Sequence, residues 1–139
     1  MSKLAYNEMG QGNSVVLLHG FCETKEIWKA YEKKISENFH LVAIDLPGFG
    51  KSDLTIEENT IESFADQVFK LLQFLDITKA TIIGHSLGGY IALALAEKYP
   101  KLVTGLGLFH STALADDQAR KDSRDKSLTF IEKYDIIKL

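Results

Sequence analysis

The segment from Ala80 to Ala96 leaves a folding chain few choices. The aliphatic run Ala80-Thr81-Ile82-Ile83 passes through Gly84-His85-Ser86-Leu87-Gly88 straight into Gly89-Tyr90-Ile91-Ala92-Leu93-Ala94-Leu95-Ala96, so a buried strand must turn directly into a buried helix. So abrupt a turn drives its central residue toward positive φ, which is costly for serine. The backbone closes around it only where the flanking positions lack side chains. Gly84 and Gly88 meet that need. The serine is then presented rather than packed. The first unpaired amides and the positive dipole end of the helix face any negative charge that develops on a group attacked by the Ser86 hydroxyl. The G-x-S-x-G spacing is that of a nucleophile elbow. Three fixed positions recur by chance in about one chain in twenty of this length, and the bland reading of Ser86 is a helix cap. Context has to separate the two.

The rest of the chain supplies that context. Val15-Val16-Leu17-Leu18 and His40 to Ile44 are further continuous aliphatic runs, the pattern of strands covered on both faces of a parallel sheet, and Val103 to Phe109 is another, weakened by Gly105 and Gly107. The residues before the turn-like Met9-Gly10-Gln11-Gly12-Asn13 form at most a short edge strand. Ile27, Tyr31 and Ile35, with Trp28 beside them, predict an amphipathic helix over about residues 24 to 37. Ile61, Phe64, Ala65, Val68, Leu71, Leu72 and Leu75 form the best helical stripe, with Asn59 as its expected cap. Strands alternating with helices imply a parallel α/β sheet with right-handed crossovers, and ligands bind at the carboxyl ends of its strands. His19-Gly20-Phe21, Asp45 to Ser52, Ser86 and His110 all fall there.

Charge and cysteine content exclude several function classes. With a formal net charge of -3, the chain has no basic excess to neutralise phosphates, so nucleic acid is not expected as a partner. Its longest apolar run, Tyr90 to Ala96, is too short to cross a bilayer, and Met1 to Glu8 lacks an apolar signal core. No membrane partner is expected. Cys22 is the only cysteine, which fits a reducing, cytoplasmic compartment, and no Cys/His spacing suggests a metal site. Gly50-Lys51-Ser52 ends like a phosphate loop, but Asp45 stands where that loop needs glycine. No cofactor is expected.

His19-Gly20-Phe21 after one strand, Asp45-Leu46-Pro47-Gly48-Phe49-Gly50-Lys51-Ser52 after the next and Gly84-His85-Ser86-Leu87-Gly88-Gly89 after the third together resemble the α/β-hydrolase fold superfamily, in matching order and context. The resemblance covers the chain to about His110 and divides it into residues 1–111, the N-terminal part of the hydrolase core, and residues 112–139, the start of a helical lid. The implied fold is a partial α/β-hydrolase fold, a mostly parallel sheet flanked by helices. It implies Ser86 as the nucleophile that attacks an acyl carbon, with the backbone N–H groups of Phe21 and Leu87 as the oxyanion hole. His19 and His85 are implied to be structural neighbours of the site. Asp45 is implied to brace its loop, since the family's triad acid follows the serine. A serine nucleophile disfavours the dehalogenase and epoxide-hydrolase branches. Carboxylester, C–C bond and cofactor-free perhydrolase-like chemistry stay open.

The family orders its triad serine, acid, histidine. Here His19, His40 and His85 precede the serine, and only His110 follows it. His110 comes early for the family's base and reads as a pocket-wall or loop residue. Asp116 and Asp117 sit in a mixed-charge segment with i,i+4 pairs expected between Asp117 and Lys121 and between Asp122 and Lys126. The chain therefore reads as the N-terminal half of a serine hydrolase for a small ester or related acyl substrate, weak or inactive alone because the base is missing. A different class of function is also open, a non-catalytic binding or self-assembling protein. The strand over Val103 to Phe109 would leave an open edge, to be covered by a second copy in a homodimer or by a complementing C-terminal half.

Overall fold

The computed structural model describes residues 4–54 and 58–134. The ends of the expected division, residues 1–3 and 135–139, lie outside them. Strands β1 (Tyr6–Met9), β2 (Ser14–Leu18), β3 (His40–Ile44), β4 (Ala80–His85) and β5 (Val103–Phe109) form one sheet in the order β1-β3-β2-β4-β5. Only β1 runs antiparallel to its neighbour, β3. The sheet is therefore mostly parallel, as the alternation of strand and helix signals requires.

Both faces of the central strands are covered, which is why they read as unbroken aliphatic runs. Val16, Leu18, Val42, Ile44 and Ile82 pack beneath α2 (Ile61–Phe74) and α3 (Leu87–Lys98), joined by Phe64, Val68, Leu72, Ile91 and Leu95. Val15, Leu17, Leu41 and Ala43 face the other way, against Trp28 and Ile35 from a 3-10 turn (Lys25–Trp28) and the helix α1 (Lys29–Ser36). Each fully buried leucine or isoleucine contributes about 1.5–3 kcal/mol of transfer free energy, so the α2–α3 side dominates the core.

Three local expectations need correction. The segment predicted as one helix over about residues 24 to 37 is a 3-10 turn followed by α1, and its buried residues are Lys25, Trp28 and Glu32, while Ile27 and Tyr31 are exposed. Polar partners turn that face inward, since Asp45 takes the Lys25 ammonium and the Asn7 amide donates to Glu32. The cap of α2 is Thr60 and not Asn59, because the Thr60 hydroxyl accepts the Ser63 N–H at 3.1 Å. In α4 (Gln118–Tyr134) neither expected i,i+4 ion pair is among the ion pairs of the described residues. Asp117 accepts the Arg120 N–H at the helix start, and Asp122 accepts from Gln118.

The far edge of the sheet is open. Among the described residues β5 pairs only with β4, and its Leu106, Leu108 and Phe109 are exposed. α4 buries none of its residues, and its Leu128, Phe130 and Tyr134 are exposed. No helix among the described residues is long and apolar enough to cross a membrane.

Candidate active site

The turn between β4 and α3 takes the expected form. Ser86 has φ 48° and ψ −111°, a conformation that costs a non-glycine residue on the order of 1–3 kcal/mol. The two glycines allow the approach that forces it: a Cβ on Gly84 would strike the Gly88 carbonyl, and one on Gly88 would strike the Leu18 carbonyl. Ser86 stands at the cap position of α3, yet its side chain makes no capping hydrogen bond. The cap reading therefore leaves the hydroxyl unexplained.

The backbone of Ser86 is held from the end of β5. Its N–H donates to the Phe109 carbonyl at 3.1 Å, and its carbonyl accepts from the Ser111 hydroxyl at 2.8 Å. Between these anchors His110 adopts φ 46° and is exposed, its ring centroid 6.0 Å from that of His85. Leu87 is the first residue of α3, so its N–H lies outside the helix's own ladder and points from the positive end of the dipole.

Phe21 lies in the turn after β2, exposed, its ring edge-on to Phe49 at 5.8 Å. Two histidines fix this turn from either side. His19 is fully buried, accepts the Leu46 N–H through Nε2 at 2.9 Å and, through Nδ1, donates to the Gly20 carbonyl at 2.7 Å. It ties the turn to the loop after β3 from within the core. Burial lowers its pKa, outweighing the hydrogen bond to Gly20 and the nearby Asp45 and Glu23 carboxylates. His85 is half-buried, and its Nδ1 meets Glu23 Oε2 at 2.8 Å, the same oxygen that accepts the Gly20 N–H at 2.7 Å.

Asp45 is consumed by its own loop. It is fully buried, and its carboxylate accepts the Lys25 N–H at 2.7 Å, the Lys25 ammonium at 2.6 Å and the Lys51 N–H at 3.0 Å. Burial alone would push its carboxyl up, but the Lys25 ammonium and the two amides together hold it below the ordinary value. Ser52 donates to the Asp45 carbonyl and accepts the Ala5 N–H, so the Gly-Lys-Ser stretch is closed on the protein's own groups. Asp116 pairs with Arg124 at 2.8 Å. Neither acid is free beside Ser86.

Glu23 and Ser111 are the residues sequence reasoning missed. Nothing in their local pattern announces them, because the contacts that matter are 62 residues away for Glu23 and 25 for Ser111. Among the described residues no cluster of three or more metal-binding side chains occurs. A cavity of about 610 Å³ lined by Phe69, Ile77, Tyr99 and Leu102 opens beside the C-terminal ends of α2 and α3 and contains none of the candidate residues.

A family model described as alpha/beta hydrolase fold matches residues 13–132. The chain belongs to the alpha/beta hydrolase fold family. Among solved structures of this family, a thermophilic esterase from Thermogutta terrifontis superposes with a TM-score of 0.84 at 33% identity, over 92% of this chain and 47% of that one. An uncharacterized protein of Mycobacterium tuberculosis is 34% identical over 81% of this chain and 33% of its own length. The (E)-2-((N-methylformamido)methylene)succinate hydrolase of Acinetobacter baylyi is 26% identical over 84% of this chain and 44% of its own. The chain thus spans about a third to a half of the length of these relatives.

Proposed function

We propose that this alpha/beta hydrolase chain carries the nucleophile half of a serine hydrolase acting on a small ester or related acyl substrate. Ser86 Oγ attacks the acyl carbon, the carbonyl oxygen becomes an oxyanion held by the Phe21 and Leu87 N–H groups, and the C–O bond to the alcohol breaks to leave an acyl-enzyme. Water then attacks the acyl carbon and releases the acid. The observation that supports this most is Ser86 itself, held at φ 48° at the head of α3 with a hydroxyl that caps nothing.

A base must take the Ser86 proton as the bond forms, and this reading assigns the base and its orienting acid to residues outside these 139. Its support is that the family places them after the nucleophile, whereas Asp45, His19 and Asp116 are committed elsewhere. Without them the rate should fall by several orders of magnitude. Residues 1–111 as core and 112–139 as the start of a lid belong to the same proposal, supported by the lack of any buried residue in α4. A cytoplasmic location also belongs to it, supported by one free cysteine, Cys22.

A second reading is favoured by the exposed Leu106, Leu108 and Phe109 on the edge strand β5. There the chain is a non-catalytic assembly protein that pairs edge to edge with a second copy. Turnover of short-chain p-nitrophenyl esters separates the two. Joined to an acid- and histidine-bearing second half, the chain should turn over the ester and lose that activity on Ser86→Ala. Activity that survives Ser86→Ala refutes the first reading, and a monomeric mass by light scattering at all concentrations refutes the second.

A further inference from the structure

We infer that Glu23 is a positioning residue that sets the distance between the two arms of the oxyanion hole. One carboxylate oxygen, Oε2, accepts the Gly20 N–H at 2.7 Å and meets His85 Nδ1 at 2.8 Å. Gly20 immediately precedes Phe21 in the turn after β2, and His85 precedes Ser86 and Leu87 in the turn after β4. A single atom therefore joins the two backbone segments whose N–H groups face the developing charge. The fit around it is close. A Cβ placed on Gly20 would lie 2.7 Å from Glu23 Oε2 and 3.0 Å from His85 Nδ1, so a side chain there would push the Glu23 carboxylate off the bridge.

The chemistry of the bridge defines the His85 ring. To donate to the carboxylate, Nδ1 carries the proton, which in the neutral ring leaves Nε2 as the acceptor. Because the oxyanion donors act only when held at about 2.7–3.1 Å from the oxygen, a shift of a few tenths of an ångström between the arms weakens both. Glu23 touches neither substrate nor Ser86 in this scheme and acts through Gly20 and His85.

This inference rests on the serine-hydrolase reading, so its test separates the two. Glu23→Ala removes the bridge, while Glu23→Gln can place its amide oxygen where Oε2 stands and accept both donors. Two measurements on the 139-residue chain suffice: the backbone amide resonances of Phe21 and Leu87, and the rate of Ser86 phosphonylation by a fluorophosphonate, split into inactivation rate and probe affinity. Glu23→Ala should move both amide resonances and slow inactivation by about tenfold or more, with little change in probe affinity, and Glu23→Gln should restore both within about threefold. Phe21 and Leu87 resonances that stay in place in Glu23→Ala overturn the positioning role. So does an unchanged inactivation rate. Should Glu23→Ala lose its fold by circular dichroism, Glu23→Gln decides alone: parental resonances and rate support the bridge, and a rate loss like that of a missing donor overturns it. If the amides move as expected but the chain joined to an acid- and histidine-bearing second half labels no faster than its own Ser86→Ala variant, the bridge stands and the serine-hydrolase reading falls.

Discussion

Removing the Asp45 carboxylate should be among the most damaging single changes available to this chain. Asp45→Ala strips three donors of their acceptor, the Lys25 N–H, the Lys25 ammonium and the Lys51 N–H. The Lys25 side chain is 7% exposed, so its charge stays buried with only the solvent-exposed Glu26 carboxylate, at 4.0 Å, left to pair with it. Breaking a buried pair in this way costs about 3–5 kcal/mol, because the remaining ion loses both its solvent and its counterion. A domain has about 5–15 kcal/mol to lose. With a urea slope of about 2 kcal/mol per M, the unfolding midpoint should fall by about 2 M. The double variant Lys25→Met with Asp45→Asn should regain more than half of the loss, since it removes the orphaned ammonium and keeps an acceptor for a backbone amide. The pH dependence has a definite sign. A carboxyl held below its ordinary value contributes stability that is present above that value and lost as pH falls through the depressed one, and Asp45→Ala should flatten that acid limb. A midpoint shift under about 0.5 M would refute the account of this buried pair.

His19 titrates with a related sign: its lowered pKa means the unfolded chain binds the proton more readily, so stability should fall as pH drops below 6.5, and His19→Gln should remove that part of the loss in urea titrations between pH 7 and 5. Burial and the hydrogen bond to Asp66 push the Tyr99 phenol up to about 12, so ultraviolet titration should show one tyrosine ionising late, absent in Tyr99→Phe and moved toward its ordinary value in Asp66→Asn. Gly88→Ala should destabilise by about 1–3 kcal/mol or prevent folding, because its Cβ would meet the Leu18 carbonyl, and a thermal melt within a degree of the parent would show that the elbow is not closed as described.

Elements whose information is local were legible in the sequence. The aliphatic runs of β2 and β3 carry their own signal because both their faces are buried, β4 carries it with one face buried and the other half-buried, and the positive φ of Ser86 follows from two flanking glycines and a strand that meets a helix. The helix stripe of α2 held position by position at Phe64, Ala65, Val68, Leu71 and Leu72. What stayed hidden depends on partners distant in the chain. Lys25 and Glu32 look like solvent-facing charges until Asp45 and Asn7 arrive beside them, and their burial turns Ile27 and Tyr31 outward. Glu23 is one acid among many until the fold brings His85 to it across 62 residues. Thr60 displaced Asn59 as a cap by a single position, a choice that pattern alone does not resolve.

The central claim is that Ser86 is the attacking atom of a hydrolase whose base lies outside these residues. Peptide mass mapping after reaction with a fluorophosphonate tests it most directly. The 139-residue chain should form its adduct slowly and on Ser86 alone, with none in Ser86→Ala, and much faster when joined to an acid- and histidine-bearing second half. An adduct on another residue, or equal labelling of Ser86→Ala, would contradict the assignment of the nucleophile. Rapid labelling of the 139-residue chain alone would contradict the missing base and make His110 the working one.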